Sequence, residues 1–115
     1  MAERVYKILR GAEWEEAQKA GIFRGSADDN RDGFIHLSAA NQVRATFARY
    51  FAAENCCWLV ALEVGLLEPA LKWELSRGGE KFPHLYAELP LACVEAAIPI
   101  RRGAEGHPIF PPEIP

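Results

Sequence analysis

Two polar islands interrupt the apolar runs of this 115-residue chain: Gly33-Phe34-Ile35-His36-Leu37-Ser38, and Trp73-Glu74-Leu75-Ser76-Arg77-Gly78-Gly79-Glu80-Lys81-Phe82-Pro83-His84-Leu85-Tyr86. Each puts His, Ser, Arg or Tyr where packing alone would place an aliphatic residue, and together they hold two of the three histidines. In an extended segment, residues two apart face the same side. His36 and Ser38 therefore project together, while Ile35 and Leu37 face a core. An imidazole beside a hydroxyl can donate to or accept from a ribose hydroxyl, a carbonyl or a phosphate, and a following helix start would add unpaired N–H groups. The triplet has a second reading, in which Ser38 only caps the helix and His36 is a satisfied polar group at a strand end.

In the second island, Ser76-Arg77-Gly78-Gly79 sets a hydroxyl and a guanidinium beside two residues that let a backbone approach a ligand closely, which describes an anion cradle. Adjacent glycines are also what a hairpin loop requires. Phe82-Pro83-His84-Leu85-Tyr86 offers a second imidazole and a phenol two residues apart, able to stack on a planar ring and bond its substituents; the alternative is a rigid Pro-containing loop whose Tyr packs on the core. Glu74 is either an acid or charge stabiliser, or the solvent-facing residue of an alternating strand. No serine has the Gly-x-Ser-x-Gly setting of a nucleophile elbow, and no dinucleotide or Walker glycine fingerprint is present. Although about forty residues separate the islands, both are expected to line one cleft, because polar groups in an apolar framework are hydrated and bonded at lower cost together than apart.

The elements that must hold these groups are legible in outline. Val5-Tyr6-Lys7-Ile8-Leu9, apolar with one charge, predicts a strand, which Gly11 ends. Ala12 to Ala20 predicts a helix stopped by Gly21. Gly25 to Gly33 reads as a loop, Phe34 to Leu37 as a strand, and Ser38 as the N-cap of a helix over about Ala39 to Ala52 with Val43, Phe47, Tyr50 and Phe51 as its apolar stripe. Cys57 to Val64 is nearly all apolar, the pattern of a central strand buried on both faces. Leu71 to Leu75 alternates like a half-buried strand, Ser76 to Pro83 reads as a Gly-containing loop, and Cys93 to Ile100 as a last strand at an edge because of Pro99. Gly106 to Pro112 is an extended tail.

Composition sets the class. Half the residues are hydrophobic and 25% charged, which excludes disorder, and a chain of this length forms one domain, 1–115, with a real core. A net charge of -3 gives no general basic field, so strong nonspecific nucleic-acid binding is not expected; Arg24, Arg31, Arg77, Lys81 and Arg101-Arg102 form either a local basic patch or, taken singly, a solvated surface. Charges at Glu3, Arg4, Lys7 and Arg10 leave no secretory apolar segment, and no stretch is long enough to span a bilayer, so the expected location is cytoplasmic. Cys56, Cys57 and Cys93 lack zinc-ligand spacing and are read as small hydrophobes of the core, with no metal expected.

The marks Tyr6-Lys7-Ile8, Trp14, Asp32 to Ser38, Gln42-Val43, Trp73-Glu74-x-Ser76-Arg77-Gly78-Gly79 and Phe82 to Tyr86 resemble a small, largely bacterial family, domain of unknown function 952, over nearly the whole chain. Members of that family resemble the ADP-ribosyltransferase superfamily, with the RNA 2'-phosphotransferases the nearest look. The resemblance implies an α+β fold of two small, mainly antiparallel sheets with two helices around an NAD cleft. On it, His36 occupies the position of a histidine that contacts the NAD ribose, with Ser38 beside it, and Arg77 stands in for a substrate-positioning arginine. For such a transferase the residues themselves suggest that Ser76, Arg77, Gly78 and Gly79 hold phosphate, that His84 or Tyr86 lines the nicotinamide end, and that Glu74 stabilises charge. The function implied is an NAD-dependent ADP-ribosyl or phosphoryl transferase. The chain lacks the basic N-terminal lobe of the RNA 2'-phosphotransferases and a Glu-x-Glu turn, which leaves a noncatalytic nucleotide-binding module or a protein-interaction domain as alternatives.

Overall fold

The chain is described as a computed structural model covering residues 3–115; the reading of the charged opening segment falls partly outside it. β1 (Arg4–Arg10) runs directly into α1 (Gly11–Ala20), so Gly11 opens the helix rather than breaking the chain. A Cβ there would meet the Cys56 sulfur at 2.7 Å, so a larger residue requires that exposed side chain to turn away. There follow β2 (Ile22–Phe23), α2 (Ala27–Asp32), β3 (Ile35–His36), α3 (Val43–Tyr50), β4 (Cys57–Glu63), β5 (Leu71–Leu75), β6 (Lys81–Leu85), β7 (Leu89–Pro90), β8 (Val94–Arg102) and β9 (Pro108–Ile109).

All pairings are antiparallel. The large sheet has the order β1-β4-β8-β9, a small sheet the order β3-β6-β5, and β2 pairs with β7. The result is a small mixed domain of antiparallel sheets with three α-helices. It has one more helix and one more sheet than expected, because α2 is six polar residues and the β2–β7 ribbon is too short to leave a period in the sequence. β4 is interior, as its apolar run predicts. Val60 and Leu62 pack on one side with Trp14 and Ala17 of α1, and Leu59 and Ala61 pack on the other with Val43 and Phe47 of α3.

Three expectations near the islands are corrected. Gly25 to Gly33 is not simply a loop: Ser26 caps α2, its Oγ accepting from the Asp29 N–H at 3.2 Å while Asp29 Oδ2 accepts from the Ser26 N–H at 2.9 Å. Ser38 does not cap a helix. Its backbone is paired with Tyr6, N–H to O 2.8 Å in both directions, and Ala39 opens a 3-10 turn that leads into α3, which stops at Tyr50. Ser76 to Pro83 is a loop only as far as Glu80; Lys81 onward is β6, the middle strand of the small sheet. Pro83 is tolerated there because its carbonyl still accepts from the Leu37 N–H at 3.0 Å, and the N–H it lacks would face the same residue, just past the end of β3.

The cysteines divide. Cys57 is buried as expected, but Cys56 is exposed and Cys93 only partly covered. Burial, with the Glu54 carboxylate nearby, pushes the Cys57 thiol up to about 11. Iodoacetamide at mildly alkaline pH should therefore alkylate Cys56 and leave Cys57 unmodified in the folded protein, as read by peptide mass spectrometry. Equal labelling of the two would contradict this packing.

Candidate functional site

Gly33, at φ 87°, ends α2 in the left-handed conformation and turns the chain back so that β3 lies against the helix it has just left. That reversal brings His36 onto Asp29. The His36 N–H donates to Asp29 Oδ1 at 3.0 Å, and His36 Nδ1 lies 2.7 Å from the same oxygen. From the large sheet, Lys7 Nζ reaches Asp29 at 3.0 Å and the His36 carbonyl at 3.0 Å. Asp29 is 2% exposed. Burial pushes its carboxyl up, but the His36 hydrogen bond, the Lys7 charge and the backbone N–H groups of Ser26 and His36 outweigh it and hold the carboxyl well below the usual carboxylate range. His36 Nε2 faces Asp32 Oδ2 at 2.9 Å, so both ring nitrogens face carboxylate oxygens. Arg31, bonded to Asp32, lowers that carboxyl.

Across β3 and β6, His36 is in register with His84, and the ring centroids are 5.7 Å apart, nearly edge to face. The alternation of β6 puts Phe82, His84 and Tyr86 on one face. His84 Nδ1 lies 2.8 Å from Glu74 Oε1, and the Tyr86 hydroxyl donates to that same oxygen at 2.7 Å. These bonds, Tyr86 first, lower the Glu74 carboxyl, and Glu74 in turn raises the Tyr86 phenol. Phe34 stacks on His84 with centroids 4.0 Å apart.

Arg77 comes from the β5–β6 turn. It lies over the Phe82 ring at 4.8 Å and donates to Thr46 Oγ1 at 3.0 Å, and Thr46 is in turn 3.1 Å from Ser38 Oγ. Arg77, then Arg49, lowers the Tyr50 phenol beside it. Gln42 fixes the base of this wall, its amide donating to the Lys81 carbonyl at 2.9 Å.

These groups enclose a cleft of about 240 Å³ whose lining includes His36, Ser38, Ser76, Arg77 and His84 from the two islands. Glu74, Gly78, Gly79 and Tyr86 lie outside the lining. The two glycines serve the hairpin turn, with φ of 70° and 75°, and their Cβ positions face open space. Lys7, Asp29, Asp32 and Thr46 are among the lining residues that sequence reasoning does not single out as functional. Lys7 carried a signal as the lone charge in the apolar β1 segment, and Ser26-x-x-Asp29 carried the spacing of a capping box.

The family model described as "Protein of unknown function (DUF952)" matches residues 8–97. The chain belongs to the DUF952 family. This DUF952 protein is also similar to solved structures of CC0527 from Caulobacter crescentus. Its X-ray structure is 45% identical, with 92% of this chain and 93% of that chain covered and a TM-score of 0.86. Its solution NMR structure is 46% identical, covers 91% and 90%, and has a TM-score of 0.80. No curated protein matches the sequence. The matches establish family and fold; the name of CC0527 states no activity, and none of the matches reaches the ADP-ribosyltransferases.

Proposed function

We propose that the cleft of this DUF952 protein takes the ribose and phosphate of a nucleotide and transfers an ADP-ribosyl group from NAD. The observation that carries the reading is the shared cleft itself: an imidazole pinned by a buried carboxylate and a guanidinium braced on Thr46 open onto one space. At about 240 Å³ the cleft is smaller than the ~300–1,000 Å³ that drug-sized ligands occupy. It suits a ribose with its substituents and leaves the rest of a dinucleotide outside.

Cleavage of the nicotinamide bond passes through an oxocarbenium-like state, which asks the protein to orient the ribose and stabilise charge rather than supply a strong nucleophile. His36 Nε2 meets a ribose hydroxyl in place of Asp32, and the Ser38 hydroxyl braces Arg77 through Thr46. Arg77 meets a phosphate, with its planar donors matched to the anion. Asp32, in the lining, is the carboxylate placed to stabilise the cation, while Glu74 acts from behind His84. Incubation with NAD and a range of acceptors, followed by mass spectrometry, should show released nicotinamide; no release across acceptors would count against transfer.

A noncatalytic nucleotide-binding module is favoured by one observation, that Glu74 is held outside the cleft by His84 and Tyr86. Calorimetry with ADP-ribose separates the readings, since binding without turnover supports the module. Either way, Arg77→Met should weaken ADP-ribose binding by about tenfold or more, the loss of a charge-assisted hydrogen bond. An unchanged affinity would remove Arg77 from the site.

A further inference from the structure

His84 is arranged as a second proton-transfer group. Its Nδ1 is committed to Glu74, and its Nε2 has no protein partner among the described residues and is not a sealed, unsatisfied atom. A carboxylate at Nδ1 accepts from the ring N–H there, which leaves Nε2 as the ring nitrogen available to the cleft that His84 lines. His36 is the complement: its Nε2 lies 2.9 Å from an Asp32 oxygen, where a ring N–H bonds as a donor. One ring placed to accept a proton and one placed to give it, 5.7 Å apart by centroids, is the arrangement of a base and an acid acting on opposite ends of one displacement.

We propose that the cleft cleaves a ribonucleotide phosphodiester by internal transesterification. This rests on the reading of the cleft as a ribose and phosphate site, and not on NAD being what occupies it. The 2′-hydroxyl attacks the neighbouring phosphorus, and its proton passes to His84 Nε2. The O2′–P bond forms as the P–O5′ bond breaks. His36 gives its Nε2 proton to the departing 5′ oxygen, which takes the place Asp32 holds in the free protein. The products are a 2′,3′-cyclic phosphate and a 5′-hydroxyl, and solvent resets both rings. Arg77 lies where the non-bridging oxygens develop charge. Glu74 is a positioning residue that fixes the tautomer of His84.

The test uses the full chain with uridylyl-adenosine, read by phosphorus NMR, and its 2′-deoxy analogue as a binding probe in calorimetry. Cyclic phosphate should appear from the ribonucleotide and not from the analogue. His84→Gln should slow it about 100-fold or more, with partial recovery on adding free imidazole, and Glu74→Gln should both slow it and shift the His84 ring nitrogen resonances. Binding of the analogue with no cyclic phosphate from the ribonucleotide overturns the activity and leaves the ribose–phosphate reading standing. No binding of the analogue overturns both. Cleavage unchanged in His84→Gln, or a folded His84→Gln that imidazole does not rescue, overturns the role of His84. Nicotinamide release from NAD, measured separately, decides the transferase reading whichever way these results fall.

Discussion

Asp29→Ala should lower the unfolding free energy by about 3–5 kcal/mol, the usual cost of leaving a buried charge without its partner. Against a total stability of about 5–15 kcal/mol for a domain, that is a large fraction. The alanine removes acceptors used by Lys7, by His36 through both ring and backbone, and by the Ser26 N–H that starts α2. Lys7 is then left buried, 8% of its side chain exposed, with only the His36 carbonyl. Urea denaturation of the two proteins is the measurement, and a change below about 1 kcal/mol, the range of an exposed pair, would show that the network contributes little. Replacing both partners with apolar residues, Lys7→Met with Asp29→Leu, should cost less than Asp29→Ala alone, because no unpaired charge remains.

The same carboxyl sets an acid dependence. Its folded pKa lies below the unfolded value of about 3.9, so the unfolded chain takes up the proton first. Its contribution to stability is complete above that value and drains away as pH falls toward the folded pKa.

Leu59→Ala should cost about 2–5 kcal/mol, the range for deleting a buried leucine side chain. Leu59 is fully buried on β4, with Val43 and Phe47 of α3 over it. The loss also reaches the cleft, since α3 carries Thr46 between Ser38 and Arg77. Leu75→Ala is the contrast. Leu75 is 70% exposed on the edge strand β5 and should change stability by no more than about 0.5 kcal/mol. Urea midpoints for both, with unchanged slopes, decide the matter; similar small effects would mean that β4 is not the packed centre of the domain.

Legibility from sequence followed the strength of the local signal. β1, β4, β5 and α1 could be read because their apolar residues recur with a clear period or run. α2 could not, because its six residues bury only Asp29 and owe their shape to a cap and to Lys7, which arrives from 22 positions earlier. The helix after Ser38 was read too long at both ends: the Tyr6 pairing draws Ser38 into sheet geometry, and nothing local announces a partner so distant. β6 was masked by Pro83, a residue that argues against a middle strand unless the neighbouring strand is known to end at His36. In the site, His36, Arg77 and His84 stood out as polar residues in apolar runs. Asp29 and Asp32 did not, because acidic residues among Asn and Gly spell a turn equally well, and the register that sets His36 beside His84 is a long-range fact.

The reciprocal backbone bonds between Tyr6 and Ser38 join the large sheet to the segment that carries His36, and Lys7 crosses the same seam. That wall is fixed at the backbone, so its groups separate only as β1 parts from its neighbours, and their alignment lasts as long as the fold does. Arg77 on the opposite wall is held by side-chain contacts, to Thr46 and over the Phe82 ring. One wall is thus set by the sheet and the other by the side chains that brace it.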